Sequence, residues 1–234
     1  RAQDWIVLLL FAMLACGSGF ISLRALTGSR LPAAEAVSLK WPLAGARFLV
    51  VNGGNDVLVN AHMESFLSDD PRFIPWRGNR WAIDIVAIDV VGMRAHGVLP
   101  VDPARYRIFG MPVLAPCSGS VLVAVDGLPD MPVPAYDRSN PAGNHVLLSC
   151  NDSVVVLAHL QRGSVRVRSA DAVLVGQQLG AVGNSGGSNE PHLHIHAQRP
   201  GPPDMPMGGD PLPMVFSGRF LVRGDRIEPT RGWP

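Results

Sequence analysis

The sequence predicts an all-β domain behind one N-terminal hydrophobic helix. Three observations carry that expectation. The chain breaks into short apolar or alternating runs (RFLVVN, DVLVN, WAIDIVAIDVV, GSVLVAVDG, NHVLLS, SVVVLAHL, DAVLV, LGAVG, HLHIHAQ), nearly all bounded by Gly, Asn, Asp or Pro. No segment after the first sustains a 3.6-residue period, and no solenoid repeat is present. The 234 residues include 25 Gly and 21 Pro, which is rich in turns yet short of the composition of a disordered chain.

Residues 1–26 form the first expected unit, a signal or membrane anchor. DWIVLLLFAMLACGSGFISL is apolar from Trp5 to Ala15 and only mildly polar as far as Leu23, between the length of a signal core and that of a minimal span. The chain opens with Arg1 instead of Met, so its topology is left open. Met13-Leu14-Ala15-Cys16 loosely resembles a lipoprotein cleavage site, although Met stands where a branched aliphatic residue is usual, and a plain anchor or signal is the preferred expectation. Residues 27–40 read as a linker, 41–200 as the folded domain, and 201–234 as a Pro-rich extension lying on the surface and closed by a strand near Phe220 to Arg223.

Charged residues make up 17% of the chain and the net charge is +1, which argues against a nucleic-acid or strongly anionic partner. Beyond an export signal the compartment is oxidising. Cys117 and Cys150 are then expected to form a disulfide, with two separately buried thiols as the alternative.

The run NSGGSNEPHLHIHAQ carries three of the seven histidines, at every second position. On a strand, His192, His194 and His196 share one face while Leu193 and Ile195 point into the core. Neutral imidazole is a good zinc ligand, and a second one two residues away can orient or deprotonate a water. A polar, solvent-facing strand is the plain alternative. SVVVLAHL ends an apolar run on His159, and WAID brings Asp84 out of another buried strand.

Together these segments resemble the LytM or lysostaphin-type zinc peptidases that cut peptide bridges in bacterial cell walls. The resemblance covers most of residues 80 to 198, through AIDI, MPVLAPCSGSVLVAVDG, AGNHVLLS, LAHL, VGQQLGAVGNSG and EPHLHIH. It implies the antiparallel sandwich of that group, the duplicated hybrid motif, with zinc as cofactor held by Asp84 and His194. His159 and His192 would flank the attacking water, and His196 falls where the family commonly carries an acid. By the same resemblance Asn144 and His145 lie on a strand beside the substrate. The implied substrates are peptidoglycan stem or cross-bridge peptides at the cell envelope.

One position departs from the family. Its first motif is HxxxD, and four residues before Asp84 this chain has Arg80. Guanidinium offers no lone pair to a metal. Arg80 is instead expected to pair with Asp84 or with a substrate carboxylate. Three outcomes follow: His62, from VNAHMESF, folds back as the third ligand; zinc is held by Asp84 and His194 with extra water; or the metal is lost and the domain is a binding module that recognises peptidoglycan or activates a wall hydrolase. His96 and His145 are weaker candidates for ligands. Because one position of the constellation has changed, the enzyme is the preferred expectation. Gly183 to Gly187 are expected to form the turn that delivers the histidine strand, and Trp41, Trp76 and Trp81 to pack in the core.

Overall fold

The computed structural model describes residues 2–228. Helix α1 (Ala2–Gly28) contains the stretch Leu9–Gly28, which is long and apolar enough to cross a membrane, with a mean hydropathy of 1.8. Trp5, Phe11, Leu14 and Phe20 are all exposed on it, as is the free Cys16. Its last turn is fastened to the domain. Arg24 donates from Nε and Nη2 to the Asp56 carboxylate at 3.0 and 2.9 Å, and the Asn55 N–H donates to the Gly28 carbonyl at 2.6 Å.

The rest is mainly β-structure. The strands are β1 (Val37–Leu39), β2 (Arg47–Asn52), β3 (Ile83–Ile88), β4 (Pro112–Leu114), β5 (Gly119–Val125), β6 (Asn144–Cys150) and β7 (Ser153–Leu160). They continue with β8 (Ala172–Val173), β9 (Gln178–Ala181), β10 (Leu193–Gln198), β11 (Pro211–Leu212), β12 (Met214–Phe216), β13 (Arg219–Phe220) and β14 (Arg226–Ile227). One antiparallel sheet of nine strands runs β14-β2-β3-β10-β7-β6-β5-β8, with β11 on the end of β10. The histidine strand β10 is therefore central, between β3 and β7.

Alternation then sorts the side chains. Leu193, Ile195 and Ala197 of β10, Ile83, Ile85 and Ala87 of β3, and Val155 and Leu157 of β7 enter the main core. That core is closed by the β4–β9 ribbon and by the small sheet β1-β12-β13, with Trp41 packed on Phe48 and Phe216. On the opposite face a smaller cluster of Leu147, Val154, Val156, Ala158 and Met207 is covered by Trp76. Cys117 and Cys150 form a disulfide that ties the approach to β5 to the end of β6.

Three segments differ from the sequence expectation. DVLVN is a turn, because Asp56 accepts from the Leu58 N–H at 2.9 Å and closes its own loop in competition with a strand ladder. Residues 27–40 are not all linker: β1 pairs in parallel with β12. Residues 201–228 are not a surface arm, since β11, β12, β13 and β14 all join sheets and bury Leu212, Met214, Phe216, Leu221 and Ile227, while the expectation for 229–234 lies outside the described residues. The prolines sit where strands are short or begin, which leaves the apolar residues between them free to pair.

Candidate metal centre

Asp84 and His194 are direct neighbours across the β3–β10 ladder and project to the same face. His194 Nδ1 lies 3.0 Å from Asp84 Oδ1, and His62 Nε2 lies 2.9 Å from Asp84 Oδ2. The three donor atoms all fall within 4.8 Å of one another.

His62 reaches this point through two asparagines. It sits in a single 3-10 turn (Ala61–Met63) capped by Asn60, whose side chain accepts from the His62 N–H at 3.1 Å. The completely buried Asn60 carboxamide donates to the carbonyls of Gly54, Arg80 and Ala82 at 2.9, 3.1 and 3.3 Å, which staples the turn to the start of β3. Asn52 completes the link: it accepts from the Ala61 N–H at 2.9 Å and donates to Asp84 Oδ2 at 3.2 Å. Neither asparagine stands out in the sequence.

Arg80 points elsewhere. It lies at the end of a 3-10 segment (Pro71–Trp81), and its guanidinium stacks over Phe66 at 4.3 Å and Trp81 at 4.6 Å. The expected pairing with Asp84 is not formed; the ion pairs of Asp84 among the described residues are with His62, His192 and His194.

His159 owes its place to a bulge. Strict alternation along β7 would send residue 159 inward beside Val155 and Leu157. The β6–β7 register shifts between Asn144 and Val146, and His159 takes a positive φ of 60°, a strain of about 1–2 kcal/mol for a non-glycine residue. Leu160 thereby enters the core while the His159 ring joins the histidine face, 4.7 Å from the His192 ring and 5.7 Å from the His194 ring, centre to centre.

Both outer rings are oriented by backbone. His159 Nδ1 lies 2.9 Å from the Ser185 carbonyl, and His192 Nδ1 lies 2.8 Å from the Glu190 carbonyl. A carbonyl only accepts, so each Nδ1 carries the proton and each Nε2 of the neutral ring carries a lone pair. The turn expected at 183–187 thus does more than connect strands. Its Ser185 carbonyl can approach because Gly143 and Gly186 have positive φ and no side chain: a Cβ on Gly143 would stand 2.4 Å from that oxygen.

The electrostatics follow from burial. Burial pushes the Asp84 carboxyl up, but the charges of His62 and His192 and the hydrogen bonds of His194 and His62 outweigh it and hold it well below the usual carboxylate range. Burial pushes His194 down against the upward pull of Asp84, and burial with the neighbouring rings pushes His159 well below the ordinary imidazole value. A cleft of about 330 Å³ opens on the site, lined in part by His62, Trp76, Asn79, His159, His194 and His196. A second hollow of about 410 Å³ shares Trp76, Pro141, Ala142 and Met207 with it and continues toward His145.

Asn144, expected near substrate, is fully buried. Its carboxamide binds the Leu128 N–H and the carbonyls of Leu128 and Leu160, so it braces a loop and has nothing to offer a peptide. His145 is half-buried and its Nδ1 donates to the Gly143 carbonyl at 2.7 Å. His96 is exposed on a loop and joins none of the site groups. His196 is buried, not solvent-facing, with Nδ1 3.0 Å from His194 Nε2. Trp41 and Trp81 are core residues as expected, whereas the half-buried Trp76 forms a wall of both hollows.

Residues 106–206 match the model of peptidase family M23, a family of zinc-dependent peptidases of the cell wall. His159, His192 and His194 lie inside the matched stretch; His62, Arg80 and Asp84 precede it. The chain is 37% identical over 87 residues to the cell division protein DipM of Caulobacter vibrioides, an overlap of 37% of this chain and 12% of that protein's length. Among solved structures it is similar to the catalytic domain of lysostaphin from Staphylococcus simulans (24% identity, TM-score 0.32, 48% of this chain and 82% of the other). It is also similar to the deep-sea M23 metalloprotease pseudoalterin (13% identity, TM-score 0.40, 70% and 72%).

Proposed function

We propose that the chain is a zinc-dependent endopeptidase acting on peptide bonds of bacterial peptidoglycan, tethered in the cell envelope by α1. The observation that carries this reading is the convergence of His62 on Asp84 and His194, which offers a third donor where Arg80 offers none. The donor set suits the ion: two imidazole nitrogens and a carboxylate oxygen, at separations that ligands about 2 Å from one zinc ion reach by small side-chain shifts. Two of the contacts, His194 Nδ1 to Asp84 Oδ1 and His62 Nε2 to Asp84 Oδ2, also gain from a cation between their lone pairs.

Zinc bound there would supply Lewis acidity toward the scissile carbonyl and a lowered pKa for the attacking water. The chain's own groups do the rest. His159 lines the cleft with its Nε2 lone pair free, its ring 4.7 Å from that of His192, and burial keeps His159 neutral near pH 7, so it is poised to take the water's proton and return it to the leaving amine. The cleft and its continuation toward His145 accept an extended peptide, with Trp76 as a common wall. Arg80 serves to hold the 3-10 segment through its aromatic stack, and partnership with an activator or wall hydrolase is in keeping with the likeness to a cell division protein.

The test is zinc content and release of fragments from purified peptidoglycan by the full chain in micelles. One zinc per chain and hydrolysis lost on chelation and in His62→Ala are expected. No zinc and no hydrolysis, with both appearing in Arg80→His, would make the chain a binding module instead.

A further inference from the structure

We propose that the second hollow is a specificity pocket for a substrate side chain that is aliphatic along its length and ends in an ammonium group, selected by Asp204 and His145. The hollow, about 410 Å³, has Trp76, Leu128 and Met207 among its walls, which suit a run of methylenes. Its polar lining is Ser139, Asn140, His145 and Asp204, and no lysine or arginine lines it among the described residues. The segment that carries Asp204 is fastened. The Met205 N–H donates to the Pro202 carbonyl and the Gly208 N–H to the Met205 carbonyl, each at 2.9 Å, so Asp204 rides on consecutive turns. Gln198 Nε2 ties those turns to β10 through the Pro206 carbonyl at 2.8 Å.

Nothing in the fold uses the Asp204 carboxylate. Asp126, Asp130 and Asp137 lie within two residues of other lining residues, yet their carboxylates are taken up by the N–H groups of Gly163, Arg162 and Ser139. Asp204 is exposed, and its carboxylate has neither a hydrogen bond nor an ion pair among the described residues. His145 supplies a second acceptor. Its Nδ1 donates to the Gly143 carbonyl at 2.7 Å, which leaves a lone pair on Nε2 of the neutral ring. Burial keeps that ring below the ordinary imidazole value, against the pull of the hydrogen bond, so the acceptor is available at neutral pH. An ammonium has three donors and no acceptor, which matches a pair of acceptors set among apolar walls. A carboxylate would meet like charge, and an alkyl or amide end would leave the Asp204 charge uncompensated once water is displaced. The hollow joins the cleft at Trp76, Pro141, Ala142 and Met207, so a peptide lying past His159 and His194 can place one side chain in it. That the ligand is part of a peptide substrate rests on the proposed function; the preference for a cation rests on the hollow alone.

The experiment measures binding of fluorescein-labelled alanine pentapeptides whose central residue is lysine, norleucine, Nε-acetyl-lysine or glutamate, by anisotropy, to the full chain in detergent micelles with zinc and again after chelation. The lysine peptide is expected to bind about 10-fold more tightly than the norleucine and Nε-acetyl-lysine peptides, with and without zinc. That ratio should fall to about twofold in Asp204→Asn and to about threefold in His145→Leu, and it should narrow as salt is raised. Asp204→Lys should reverse the preference, so that the glutamate peptide binds most tightly. Reading ratios within one variant removes any general loss of folded protein. No saturable binding of the lysine peptide, equal binding of the norleucine peptide, or a ratio unchanged in Asp204→Asn overturns the inference. Wall hydrolysis without a lysine preference overturns the pocket alone, whereas a lysine preference in a chain that takes up no zinc and cuts nothing overturns the proposed function and leaves the pocket standing.

Discussion

The two halves of the candidate site are built by opposite means. His159 and His194 come from adjacent strands of one sheet and His192 stands immediately before β10, and each ring is aimed by a ladder position, a bulge or a carbonyl within the strand-and-turn framework. His62 comes from a three-residue 3-10 turn held in place by the side chains of Asn60 and Asn52. Strand geometry supplies position from backbone pairing that the core enforces anyway, whereas a turn outside the sheet needs its own polar fasteners. The first half should therefore tolerate changes to its surroundings better than the second.

The largest expected break in this comparison is His194→Ala, which should abolish both zinc retention and hydrolysis while leaving the fold, as judged by circular dichroism, intact. Next comes the contrast between His62→Ala and Arg80→Ala. The former should weaken zinc by about 100-fold or more in a chelator competition. The latter should leave zinc within about twofold and lower stability by about 1 kcal/mol through its lost aromatic stack. Equal effects of the two would mean that the turn is not where the third donor comes from. Asn60→Ala sharpens the point, since it removes a buried cap without touching a donor. Thermal melts should show a loss of about 2 kcal/mol, and zinc should be held about 10-fold more weakly.

The smallest effect is that of pH on the metal-free chain. Burial holds His159, His194 and His196 below the free value of 6.5, so below that pH the unfolded chain binds more protons than the folded one. Stability should accordingly decline as pH falls from 7 to 5, by about 5 °C in melting temperature, with Asp84 ionised in both states across the window. A flat profile would mean that the three rings bind protons alike in the folded and unfolded chains.

What could be read in advance follows the same division. The period-2 runs forecast the large sheet, and the every-second-residue histidines forecast one strand face, because strand geometry translates spacing directly into direction. The bulge at His159 was invisible, since alternation alone sends that ring inward and only the ladder's register shift reverses it. The work of Asn52 and Asn60 was equally hidden: both look like ordinary loop residues until their partners, 20 to 32 positions away, are brought alongside. The strands of residues 201–234 escaped because proline marks a stretch as a turn, while their pairing depends on distant apolar partners such as Leu39 and Phe48.

The single inserted residue on β7 also has a bearing on how such a site arises or disappears. Shortening that strand by one residue would return the imidazole to the hydrophobic interior and restore uninterrupted pairing, with every other site histidine still in place. On the proposed function, the presence or absence of a water-facing imidazole in this architecture thus turns on one codon, and relatives are best compared by strand length before they are compared by side-chain identity.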